Sequence, residues 1–121
     1  MFDLKGKVAV VTGASRGLGR AIAVALGRAG AAVVVNYTAN EQAARQTLDD
    51  VVAAGASGEL RRFDVADPKA VDQAFKEIAA LRGKIDILVN NAGSAIDGLV
   101  LRQNDADWNK TLATNLTGAM H

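Results

Sequence analysis

The 121-residue chain has no cysteine, one proline, one histidine and few aromatic side chains, namely Phe2, Tyr37, Phe63, Phe75 and Trp108. Each scarcity excludes a class of function. Without cysteine there is no disulfide framework, no thiol nucleophile and no thiolate metal site. A net charge of +1 gives no strong electrostatic pull on nucleic acid or an anionic membrane. The sparse aromatics cannot build a base-stacking surface. No apolar run approaches the roughly 18 residues needed to cross a bilayer, and Met1 to Lys7 carries no apolar leader. A soluble cytoplasmic protein is expected, with no metal, membrane or nucleic-acid partner. What is present is apolar material, 50% of the residues, enough for the core of one domain spanning residues 1–121.

The stretch that organises the chain is Thr12, Gly13, Ala14, Ser15, Arg16, Gly17, Leu18, Gly19. It follows the apolar run Val8–Val11 and precedes a helical pattern with Leu18, Ile22 and Leu26 as its apolar stripe. It reads as strand, glycine-rich turn, helix. A helix start leaves about four backbone N–H groups unpaired and carries a positive partial charge, and glycines let a pyrophosphate approach the backbone. The alternative is a turn that merely seats a helix on a sheet. The spacing is G-x-x-x-G-x-G, and no lysine follows in the order of a nucleoside-triphosphatase phosphate loop.

The rest alternates short strands and helices. The first helix spans about Gly17 to Ala29, with Gly30 as its stop, and the second strand is Val33 to Tyr37. The second helix starts near Thr38: Thr38 and Glu41 have capping-box spacing, and Asn40 is the alternative cap. Leu60 to Phe63 reads as a third strand. Asp67 and Pro68 then open a third helix, with Val71, Ala74, Phe75, Ile78 and Leu81 as its apolar stripe and Gly83 as its end. Ile85 to Val89 is the fourth strand, and a last helical pattern starts near Asn104 with Trp108, Leu112, Asn115 and Ala119 on one face.

This alternation predicts an α/β fold, a parallel sheet with helices on both faces, whose ligands bind beyond the C-terminal strand ends. The glycine turn, Asn36, Asp64 and Asn90 all fall at such ends. Asn36 comes about 17 residues after Gly19, near where an NAD site places an acid on the ribose 2′-hydroxyl. Here Asn36, Tyr37 and Thr38 stand there, and no acid occurs before Glu41. With Arg16 available for a charge-assisted contact to a 2′-phosphate, the pattern favours NADP(H). The alternatives are a solvated Arg16 and ordinary helix-start chemistry for Asn36 and Thr38.

The turn T-G-x-x-x-G-x-G together with Asn90, Asn91, Ala92, Gly93 resembles the short-chain dehydrogenase/reductase family. The resemblance runs from Gly6 to His121. It implies the N-terminal half of a Rossmann-type fold, four strands in the order 3-2-1-4. It implies cofactor contacts from Gly13, Ser15, Arg16, Gly17, Leu18 and Gly19, and adenine contacts from Asp64 and Val65. Asn90, Ala92 and Gly93 would line the ribose side. Asn115 matches an asparagine of the family's catalytic tetrad. Asp97, Gly98, Leu99, Trp108 and Asn115 to Gly118 resemble the bacterial 3-oxoacyl-[acyl-carrier-protein] reductase branch, which implies an acyl thioester as substrate. A turn aspartate at 64, a structural turn at 90–93 and a core asparagine at 115 are the alternatives.

The family's catalytic serine and Y-x-x-x-K pair have no match among these residues. The only tyrosine, Tyr37, is followed four positions later by Glu41. The expectation is a cofactor-holding half whose C-terminal catalytic half is absent, inactive as a reductase by itself. The fourth strand is expected to be an open edge, which implies a homo-oligomer or pairing with a C-terminal half.

Overall fold

The computed structural model describes residues 3–91 and 98–101. Five strands and three helices follow one another as β1 (Val8–Val11), α1 (Gly17–Arg28), β2 (Ala32–Tyr37), α2 (Glu41–Ala53), β3 (Gly58–Arg62), α3 (Pro68–Arg82), β4 (Ile87–Asn90) and β5 (Gly98–Leu101). They form one sheet in the order β3-β2-β1-β4-β5. The first four strands are parallel, in the expected order 3-2-1-4.

β5 was not anticipated. It runs antiparallel to β4, with Asn90 opposite Gly98 and Ile87 opposite Leu101. The edge of β4 is therefore covered, and the expectation of an open edge is corrected. With β5 paired there, β4 offers no free edge to a second chain.

Alternation along the strands splits the core in two. Ala9, Val11, Val33, Val35, Tyr37, Ile87 and Val89 face one way and bury Ala23 of α1 with Ala44 and Val51 of α2. Val10, Val34 and Leu88 face the other way, against Val71, Ala74, Phe75 and Ile78 of α3. Such two-sided burial is why β1 and β4 are continuously apolar. At the other margin β3 is an edge strand and is charged instead. Glu59 accepts from Arg61 at 2.7 Å and from Arg82 at 2.9 Å, which ties β3 to α3 and blunts its free side.

The helix starts follow local chemistry. Asn40, the alternative cap, takes the α2 start by accepting from Ala43 N at 3.0 Å. Asp67 caps α3 and Pro68 opens it, while Gly83 closes it in the left-handed region at φ 84°. In α1 the expected stripe is displaced by one residue. Gly19, Ala23 and Gly27 are the buried positions; Leu18 is 53% exposed, and Ile22 and Leu26 are only partly covered. Small residues on that face let α1 approach Val51 of α2, which would stand 3.1 Å from a Cβ at Gly27.

Candidate functional site

The C-terminal ends of β1, β2 and β4 are laced together around the glycine turn. Asn36 is buried at the end of β2, and its Oδ1 accepts the Gly13 N–H at 3.0 Å. Its amide donates to Phe63 O at 3.0 Å and Arg61 O at 3.3 Å, across to β3. Ala14 N–H donates to Asn36 O at 3.0 Å. From the β4 side, Asn91 Nδ2 donates to Gly13 O at 3.3 Å. The buried Thr12 hydroxyl accepts from Asn91 N at 2.8 Å. Its single proton serves either Val89 O at 3.3 Å or Asn90 Oδ1 at 3.2 Å.

The turn so held presents α1 with its first turn bare. Arg16 precedes the helix in extended backbone and offers no side-chain cap, and no acidic residue stands in the first turn. Arg16 is exposed and makes no ion pair among the described residues. Two glycines serve different needs. Gly17 has φ +60° with open space where a Cβ would stand, so its requirement is conformational. Gly19 is a steric requirement, because a Cβ there would collide with Gly13 O and the Asn91 amide. Unpaired N–H groups, a positive helix end and open space beside Gly17 suit a phosphate-bearing ligand.

The β2 and β3 ends are less open than the sequence suggested. The Tyr37 ring is buried on the α1–α2 side, and its hydroxyl donates to Glu41 Oε1 at 2.7 Å. Asn36 likewise turns its whole amide onto backbone, so neither side chain is presented at the edge. Glu41 also lies 3.5 Å from Arg45. The Tyr37 hydrogen bond, then Arg45, hold the Glu41 carboxyl below its usual range. The same hydrogen bond, with burial and the Glu41 charge, pushes the Tyr37 hydroxyl up. Thr38 is exposed, and its carbonyl accepts from Arg62 Nε at 3.1 Å. Asp64 is exposed beyond β3, with Oδ1 accepting Ala66 N–H at 2.9 Å. Val65 is partly buried against the α3-side core. Ser15 is half-buried, its carbonyl turned toward α2.

Of the expected site residues, the structure thus gathers Gly13, Ser15, Arg16, Gly17, Leu18, Gly19, Thr38 and Asn90 on one sheet edge, with Asp64 and Val65 beyond β3. Ala92, Gly93 and Asn115 lie outside the described residues, as does the last helical pattern. The sequence pattern did not single out Arg20, Thr47 and Arg62, and it placed Thr12 in the motif without showing its hydroxyl as the link between β1 and β4. Arg20 did leave a signal: a cation in a helix's first turn opposes the helix dipole and calls for acceptors nearby.

A family model of short chain dehydrogenase matches residues 7–121. The chain belongs to the short chain dehydrogenase family. Among curated members, 3-oxoacyl-[acyl-carrier-protein] reductase FabG of Escherichia coli (strain K12) is 43% identical over 116 residues, covering 96% of this chain and 46% of that protein. The chain thus spans about half the length of the curated relatives it matches. Among solved structures, a short-chain dehydrogenase/reductase from Serratia marcescens BCRC 10948 superposes with a TM-score of 0.71 at 43% identity, over 74% of this chain and 37% of that one. Landomycin C-6 ketoreductase LanV, solved with bound NADP and rabelomycin, gives 0.68 at 41% identity, over 76% and 40%. Among the described residues no helix is long and apolar enough to cross a membrane.

Proposed function

We propose that this chain is the NADP(H)-holding portion of a short-chain carbonyl reductase, residues 1–121 forming the cofactor-binding half. The observation that carries the reading is the bare, uncapped start of α1 beside a glycine turn tied to three strand ends. The unpaired N–H groups of that first turn would hold the pyrophosphate. Arg16 would meet a 2′-phosphate across from Thr38. Arg62 adds a second guanidinium at that edge, and Glu41, which opens α2 there, is occupied by Tyr37 and Arg45. Glu41 is thus compensated and opposes a 2′-phosphate less than a free carboxylate would. Asp64 and Val65 would border the adenine, and Asn90, Ala92 and Gly93 the ribose side.

The bound cofactor would supply a hydride to a substrate carbon. FabG relatives support a 3-oxoacyl thioester as the parent substrate, reduced to the 3-hydroxyacyl thioester, and NADP-bound neighbours support the cofactor. Within these residues Asn115 is the proposed member of the catalytic set. The sole tyrosine is buried and bonded to Glu41, so among the described residues no tyrosine stands free to act as the acid for the carbonyl oxygen. That favours a second reading, a dinucleotide-binding module that needs another segment for turnover.

Titration calorimetry with NADPH and NADH, beside an assay of NADPH oxidation with a 3-oxoacyl thioester, tests both. Tighter binding of NADPH without turnover is expected of the 121-residue chain. Absence of binding to either nucleotide overturns both readings. Turnover by this chain alone overturns the assignment of the acid to another segment.

A further inference from the structure

Arg20 breaks a local rule. It sits in the first turn of α1, where a cation opposes the positive helix end. The structure compensates it with acceptors from two other elements. Nε donates to Thr47 Oγ1 at 2.9 Å. One terminal nitrogen, Nη2, donates to Ser15 O and Ala43 O, each at 3.0 Å, and reaches Gln46 Oε1 at 3.4 Å. Thr47 is fully buried, and its single proton serves one or other of the same two carbonyls, each 3.3 Å away. One guanidinium and one hydroxyl thus join the glycine turn to the first turns of α2.

The consequence lies in the peptide plane. A trans peptide points its C=O and the following N–H in opposite directions, and no cis bond occurs among the described residues. With Ser15 O drawn toward Arg20 and Thr47, the Arg16 N–H is aimed away from α2. The carbonyl is held from behind, and the N–H is left outward at the mouth of the bare helix start. The half-buried guanidinium also adds positive potential behind that turn, where water screens it less than at the surface.

We propose that Arg20 is a positioning residue for the dinucleotide: it fixes the Ser15–Arg16 peptide so that the turn's N–H groups meet the pyrophosphate. The inference rests on the dinucleotide reading above and deepens it, since Arg20 acts through the turn without touching the ligand. Lysine keeps the charge but has no fork able to hold Thr47 and both carbonyls together. Glutamine loses both.

The test titrates wild type, Arg20→Lys and Arg20→Gln with NADPH and with adenosine 2′-monophosphate, which has no pyrophosphate. Arg20→Gln is expected to weaken NADPH about tenfold, the size of one lost charge-assisted hydrogen bond, while leaving adenosine 2′-monophosphate within about twofold. Arg20→Lys is expected to fall between Arg20→Gln and wild type. Equal losses on both ligands mark a general structural role and overturn the inference, as does unchanged NADPH affinity. Should Arg20→Gln fail to fold by circular dichroism, Thr47→Val takes its place. It removes the hydroxyl that accepts from Nε and helps hold Ser15 O, and the same ligand contrast is expected. Wild type that binds neither NADPH nor NADH overturns the dinucleotide reading, and this inference with it. Wild type that binds NADPH while all variants bind it equally overturns this inference alone.

Discussion

Asn36 Oδ1 accepts the backbone N–H of Gly13 at 3.0 Å, so the tip of β2 sets the start of the glycine turn. With its amide on Phe63 O and Arg61 O, this one buried side chain joins three strands. Asn36→Ala removes the side-chain partner of the Gly13 N–H and of the buried bond to Phe63 O, and is expected to cost about 1–3 kcal/mol. Asn36→Asp keeps the acceptor for Gly13 but turns a carboxylate on two carbonyl oxygens, and should be worse. Urea unfolding of both variants checks the order; an Asn36→Asp chain as stable as wild type contradicts it.

The two glycines of the turn should fail differently. At Gly17 a Cβ meets open space, so Gly17→Ala is expected to cost about 1–2 kcal/mol from the left-handed backbone alone, and Gly17→Asn less. At Gly19 a Cβ meets the Gly13 carbonyl and the Asn91 amide, so alanine must displace the turn. Gly19→Ala is expected to lose about 1–3 kcal/mol and, beyond that, nucleotide binding. Stability and NADPH affinity measured together separate the two cases.

The Thr12 hydroxyl is both acceptor and donor between β1 and β4. Thr12→Val keeps the shape but strands the Asn91 N–H, and is expected to lose about 1–3 kcal/mol, whereas Thr12→Ser should stay near wild type. Chemical denaturation of the pair reads this directly.

The Tyr37–Glu41 bond carries a pH signature. Glu41 is lowered from its usual 4.5, so the stability it contributes is present above 4.5 and is lost as pH falls through the lower folded value. Tyr37 is raised from 10.0, so its contribution is complete below 10.0 and is lost as pH rises through the higher folded value. The advantage of wild type over Tyr37→Phe should therefore be a plateau between these limits that shrinks at both ends. Melting curves across the pH range test it, and a difference independent of pH contradicts it.

Most of the sheet was legible because β1, β2 and β4 are buried on both faces and read as continuous apolar runs. The α3 start was legible too, since Asp67 and Pro68 act locally. β3 was legible in place but shifted in its bounds, Leu60 to Phe63 against Gly58–Arg62, because an edge strand of Gly-Glu-Leu-Arg-Arg answers to its ion pairs with α3 and to solvent, not to a hydrophobic period. The α1 stripe was misplaced by one residue for a related reason: hydrophobicity points to Leu18, Ile22 and Leu26, while close approach selects Gly19, Ala23 and Gly27. Tyr37 and Asn36 were read as ligand contacts from their place at a strand end. Only the fold reveals that both side chains are engaged elsewhere. Arg62 escaped notice because its partner is the Thr38 carbonyl 24 residues away, and Arg20 because Ala43 and Thr47 reach it only once α2 folds beside α1.

An amide-shift map of the 15N-labelled chain on addition of NADPH tests the dinucleotide site at the glycine turn. The largest shifts are expected from Ser15 to Gly19, with others at Thr38, Asp64 and Val65, and none at the opposite sheet edge around Lys5–Lys7 and Lys84–Asp86. No shifts, or shifts centred on that opposite edge, would contradict it.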